Sequence, residues 1–161
     1  MLKESLNKWL KIDPIEIIKQ ILSDRAIISL IEDANHQQLF KDNQDSEGKD
    51  LIYKKGGREY YSYSERYYEL LDGVKKNGIS FNVGDPYTIA NTGDFYRSLT
   101  VKIDDLIEFD ADPIKTDENG NVTNLFEAFG EDILGLNEEN LQQLIKIVKD
   151  KLIVEILKKV Q

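Results

Sequence analysis

Apolar residues along this chain fall first at helical spacing, then in alternation, then at helical spacing again. Leu2, Leu6, Trp9 and Leu10 predict a short amphipathic helix in the first ten residues. Asp13-Pro14 restarts the chain, because Asp caps a helix and Pro suits its first position. Ile17, Ile18, Ile21 and Leu22 then form an apolar stripe, with Ile15 beside it. Ser23-Asp24 reads as a break and a new cap. Ala26 to Ile31 predicts another helix, and Asn35 reads as the cap of a last turn holding Leu39 and Phe40. The first forty residues are thus expected to be three or four short helices.

The period changes near the middle. Asn91-Thr92-Gly93-Asp94-Phe95-Tyr96-Arg97-Ser98-Leu99 reads as a capped helical turn feeding a β-hairpin. Asn91 stands at the cap, and Asp94 follows at capping-box distance. Phe95 and Leu99 lie four apart, on one face. From Leu99, Val101 and Ile103 alternate with Thr100 and Lys102, which is strand spacing. Asp104-Asp105 turns the chain, and Leu106 to Asp110 runs back. Asn91, Gly93, Asp94, Phe95 and Leu99 therefore read as a structural joint. Before it, Ile79 to Val83 alternates and predicts a strand. After it, Asp110 to Asn121 reads as a polar loop, and Val122 to Ala128 as holding a short helix.

The last element is the plainest. Asn137-Glu138-Glu139 supplies a cap and first-turn acids. Leu141, Ile145, Val148, Leu152 and Ile156 repeat at helical spacing, and Leu144, Ile153, Leu157 and Val160 widen the stripe. Lys158 and Lys159 close the helix with the charge its dipole favours. The helix is expected over about residues 138 to 160, integral to the fold.

These elements predict an α+β protein. Short N-terminal helices and a long C-terminal helix pack on a small antiparallel sheet around Leu99 to Asp110, with a tyrosine-rich arm or loop projecting. One domain is expected over 1–161: a helical segment at 1–40, the loop and arm at 41–90, and an α+β core at 91–161.

The central motifs also carry a resemblance. Thr92 to Leu99, then Ala111 to Pro113, then Asn124 to Leu136 with its Asn-Leu-Phe-x-x-Phe-Gly-Glu-x-Ile-Leu-Gly-Leu run, resemble small proteins of Bacteroides phages and prophages, including crAss-like phages. A Gly-x-Asp-x-x-Gly-x-x-Leu stretch of that group is matched by Asp45, Gly48 and Leu51, while Asn43 stands at its first glycine. The group is similar to tail-completion or neck proteins. The resemblance implies a structural virion protein, made in the bacterial host cytoplasm, that forms a ring of identical subunits between portal and tail.

Composition bears on this without deciding it. The chain has 161 residues with a net charge of −9, which argues against a broad nucleic-acid footprint. No apolar run approaches membrane-spanning length, and the polar, periodic N-terminus does not read as a signal peptide. With no cysteine, disulfides and thiolate metal sites are excluded. Six of the eight tyrosines, Tyr53, Tyr60, Tyr61, Tyr63, Tyr67 and Tyr68, cluster with Lys54, Lys55, Arg58 and Arg66. Such a segment can stack single-stranded nucleic acid. Glu59, Glu65 and Glu69 dilute its charge, which favours a protein interface.

Catalytic chemistry is thin. Lys41 to Asp50 and Asp117 to Gly120 superficially suggest calcium loops, but neither places a Glu at the twelfth position. Gly73 to Ser80 has phosphate-loop glycine spacing, but Ile79 replaces the lysine. The single histidine, His36, reads as a surface residue, since a metal site needs several partners. Asp104, Asp105, Glu108, Asp110 and Asp112 could supply a carboxylate pair, but acids at a hairpin turn are commonly just solvated. No catalytic residue, cofactor or metal is assigned. The alternative to a virion subunit is a small non-enzymatic binding protein, an inhibitor or a single-stranded nucleic-acid accessory factor using the tyrosine segment. A hydrolase using the hairpin acids is the third class.

Overall fold

The computed structural model describes residues 9–60, 74–76, 79–81, 94–104, 106–116 and 120–160. Helix α1 spans Pro14–Leu22, and α2 spans Arg25–Phe40. Asp13 caps α1 through its carboxylate, which accepts from the amides of Ile15 at 2.9 Å and Glu16 at 3.3 Å. Asp24 does the same for α2 through Ala26, at 3.0 Å. Both starts follow from the Asp-Pro and Ser-Asp signals. Helix α2 runs unbroken to Phe40, so Asn35 is not the cap of a separate turn. It sits one helical turn beyond buried Ile31, on the inward face.

Four antiparallel hairpins follow among the described residues, each a two-stranded sheet of its own. Strands β1 (Tyr53–Lys55) and β2 (Arg58–Tyr60) are joined by Gly56 and Gly57, with φ of 60° and 76°. Two consecutive left-handed residues make the tight turn whose twist suits a hairpin. Strands β3 (Val74–Lys76) and β4 (Ile79–Phe81) pair next. The expected strand at Ile79 is present, and β3 turns the phosphate-loop lookalike into half of a hairpin.

Helix α3 (Asp94–Ser98) feeds β5 (Thr100–Ile103), which pairs with β6 (Ile107–Asp110). The register sets Val101 opposite Phe109 and Ile103 opposite Ile107. Those four face inward, while Thr100, Lys102, Glu108 and Asp110 are exposed. The period-two pattern is therefore realised as read. Strands β7 (Ile114–Thr116) and β8 (Val122–Asn124) form the last hairpin, inside the stretch expected to be loop and helix. Helix α4 (Leu125–Phe129) starts only after Asn124, whose side chain caps it. A 3-10 turn at Glu131–Ile133 leads to α5 (Glu138–Val160).

The architecture is α+β, as the sequence predicts. The expected sheet around Leu99 is present as β5–β6, and the other hairpins are two-stranded sheets of their own rather than added to it.

One apolar cluster runs through the fold. It joins Ile17 and Ile21 of α1, Ile27 and Ile31 of α2, Phe95, Leu99, Val101, Leu125 and Leu144. Each such side chain contributes roughly 1.5–3 kcal/mol by leaving water. The joint is locked to the chain that follows it. The Ser98 hydroxyl donates to Phe95 O at 2.8 Å and accepts from the Asp112 amide at 2.9 Å. Phe95, 5% exposed, meets Phe126 edge-on with ring centroids 6.5 Å apart. Asp94 is exposed and pairs with Arg97. Asn91 and Gly93 lie outside the described residues, as do Leu2 and Leu6 of the expected first helix and Asp105 of the hairpin turn.

Phe95→Ala is expected to lower stability by roughly 3–5 kcal/mol, the range for emptying an aromatic core site. Chemical denaturation measures it, and a midpoint equal to the parent's would remove Phe95 from the core. Ending the chain at Gly135 removes α5 and is expected to abolish cooperative unfolding.

Candidate interaction surface

The arrangement begins with polar residues buried where apolar ones would be expected. Asn35 and Gln38 are fully buried on α2, and Asn137 is nearly so. The Asn35 amide donates to Gly135 O at 2.7 Å and to Ile133 O at 3.4 Å. The Gln38 amide donates to Gly135 O at 3.2 Å, and its carbonyl accepts from the Asn137 amide at 2.7 Å and from Asn140 Nδ2 at 3.1 Å. Asn137 in turn caps α5, accepting from the Asn140 amide at 3.0 Å. These bonds clasp α2 to the segment that launches α5. They satisfy backbone groups that would otherwise be buried without partners.

Gly135 fits the clasp for a steric reason. Its φ is +116°, and a Cβ there would stand 3.1 Å from Ser46 Cβ. Ser46 belongs to the loop after α2, and its amide donates to Asp132 O at 2.7 Å. In that loop Asp45 Oδ1 accepts from the Glu47 and Lys49 amides, both at 2.9 Å. The calcium-like acid thus closes a backbone turn. The carboxylate of Glu47, bonded to Lys49, holds that ammonium's pKa above its usual value. Among the described residues no cluster of acids, His or Cys is grouped to hold a metal ion.

The clasp fixes where α5 lies, and α5 then presents more apolar surface than the fold covers. Leu144 is buried, and Val148, Leu152 and Ile156 are half-buried. Leu141 is 36% exposed, Ile145 49%, Ile153 48%, Val154 49% and Leu157 48%. Leu141, Ile145 and Leu152 form one wall of an open groove of about 340 Å³. Ile18 and Leu22 of α1 and Ile107 of β6 form the other, and its surface is wholly apolar. No described helix is long and apolar enough to cross a membrane.

The predicted tyrosine surface is only partly in view. Tyr61, Tyr63, Tyr67 and Tyr68 lie outside the described residues. Tyr60 is paired with Tyr53 in the β1–β2 register. Tyr53 itself is 5% exposed, and its ring meets Phe129 edge-on at 5.4 Å. It is a core residue, which corrects the expectation that it offers contact area to a partner. The hairpin returns it to α4 instead of projecting it. His36 is also corrected. It is half-buried, with Nε2 3.1 Å from Tyr96 O and its ring edge-on to that of Tyr96, and so links α2 to the joint.

Comparison with protein-family models, curated proteins and solved structures finds no match to this chain.

Gln38→Leu is expected to cost about 1–3 kcal/mol, since it strips an acceptor from the buried Asn137 amide. Gly135→Ala is expected to cost about 1–3 kcal/mol through backbone strain. Thermal melts of the two variants test the clasp, and parent-like melts would show that it does not hold the fold.

Proposed function

We propose that this chain is a structural virion protein, a neck or tail-completion subunit that joins portal and tail in a ring of identical copies. The observation that carries the reading is the apolar area left open on α5 and in its groove. Large exposed apolar patches mark surfaces that meet other proteins. The resemblance to Bacteroides phage proteins supports the same reading in a specific way. Among its matched positions, Leu51, Phe95, Leu99, Ala111, Leu125 and Ile133 are buried. They are the positions that build the joint and the core, so the shared motif is one of architecture, as suits a protein that works by its shape.

In such a ring the neighbours would meet through heterologous contacts, one patch against a different patch. The tyrosines after β2 are the candidate for one of those patches. Tyrosine gives much contact area at low entropy cost. The subunit would act without catalysis or cofactor, and net charge −9 would keep it from gripping packaged DNA.

Changing Tyr60, Tyr61, Tyr63, Tyr67 and Tyr68 to Ser is expected to leave circular dichroism unchanged and to stop formation of infectious particles. Normal particles would refute the assembly role, and loss of folding would assign those tyrosines to the core. Mass spectrometry of purified virions should find the chain in multiple copies. Its absence would favour the small binding protein instead.

A further inference from the structure

The open face of α5 has an order along the helix that points to its occupant. Read from its start, the face carries Glu138, Leu141, Ile145, Lys149, Leu152, Ile156 and Lys159. It is acidic at the beginning, apolar on both sides of a central Lys149, and basic at the end. We propose that this face binds the same face of a second copy of the chain, with the two α5 helices antiparallel about a twofold axis between Val148 and Lys149.

That register follows from the sequence of one helix. Reversing α5 about this point sets Glu138 opposite Lys159, Leu141 opposite Ile156, and Ile145 opposite Leu152. Each pair occurs twice, as an isologous contact requires. Both ends then carry opposite charges, and both apolar pairs join a more exposed residue to a half-buried one. Shifting the register by one residue one way sets Leu141 opposite Glu155 and Ile145 opposite Lys151; the other way it sets Leu141 opposite Leu157, which lies on the far side of the helix from Leu141. A parallel arrangement sets Glu138 against Glu138 and Lys159 against Lys159, which is repulsive at both ends. Antiparallel helices also set opposite dipole ends side by side.

The groove beside this face adds to the fit. Ile18 and Leu22 of α1 and Ile107 of β6 flank Leu141, Ile145 and Leu152. A second helix laid along the face would cover these flanking residues as well as the stripe. Lys149, on the groove's rim, lies next to the axis opposite Val148, where its stem can lie on apolar surface with the ammonium in water. The pairing is a property of the free protein in solution; it does not rest on the virion reading, and a ring contact made through this same face would have to displace it.

The full chain, at 18.6 kDa, is tested by light scattering coupled to size exclusion. The expected mass is twice that value, falling to the single-chain mass in Ile145→Glu with circular dichroism and melt unchanged. Ile145 is half-exposed, so the variant tests the surface without opening the core. Orientation is read by mixing E138C protein with K159C protein and adding a short bis-maleimide. The chain has no native cysteine to compete. Cross-links are expected between the two different variants, in clear excess over links within either one. A monomer at the highest soluble concentration would overturn the proposal and leave the face to a different protein. So would a larger assembly that survives Ile145→Glu, or cross-links chiefly between like variants. A failure here leaves the virion mass-spectrometry result untouched, so the two readings fail separately.

Discussion

The fold depends on a small set of hydrogen bonds between α2 and the turn before α5. Asn35 and Gln38 have no access to water, so their amide N–H groups need protein acceptors, while Asn35 Oδ1 has no hydrogen-bond partner. Gly135 O takes both amide donors, while the Gln38 carbonyl takes the Asn137 amide. A buried bond of this kind adds about 1 kcal/mol when made, but leaving its groups orphaned costs more. The clasp therefore acts less as a source of stability than as a demand for one arrangement. An apolar α2 face could slide on its neighbours. On this one the Asn35 and Gln38 donors and the Gln38 carbonyl find their partners only when Gly135 and Asn137 arrive in place.

From that constraint the rest of the architecture follows. Fixing Asn137 fixes the start of α5, because the same residue caps it. The direction of α5 then brings it against α1, whose Ile17 and Ile21 are buried beside it. On the other side, Asp132 O holds the loop after α2, and Leu51 and Tyr53 follow that loop into the core. Phe129 receives Tyr53, and Pro113 O receives the Leu125 amide at 2.8 Å, tying α4 to the strand before it. Local signals made the elements, and the polar clasp chose their relative placement.

Much of this was legible in the chain. The Asp13-Pro14 start, the Ser23-Asp24 break, the alternation from Leu99 to Phe109 and the whole of α5 rest on local rules, and local rules act wherever those residues stand. What was not legible was decided from a distance. Asn35 reads as a cap because Asn often caps, whereas its partners lie about a hundred positions away. The available signal was its place on one face with Ile27, Ile31 and Gln38. Composition groups Tyr53 with the other tyrosines, but its burial depends on the Gly56-Gly57 turn and on Phe129. Strands β7 and β8 are three residues each, too short for alternation to stand out. The groove needed three elements brought together, and only the α5 wall could be seen beforehand.

The clasp also sets an order in time. The partners of Asn35 and Gln38 are 97 to 102 residues further along the chain. During synthesis α2 leaves the ribosome long before Gly135 and Asn137 exist. Its two amides must stay in water until then, so the helical N-terminal part can be helical early but cannot settle. Closing so long a loop is an entropic cost met before most of the packing is gained. The clasp itself therefore closes only once the chain is nearly complete, and the placement of α5 that leaves its apolar face open comes with it.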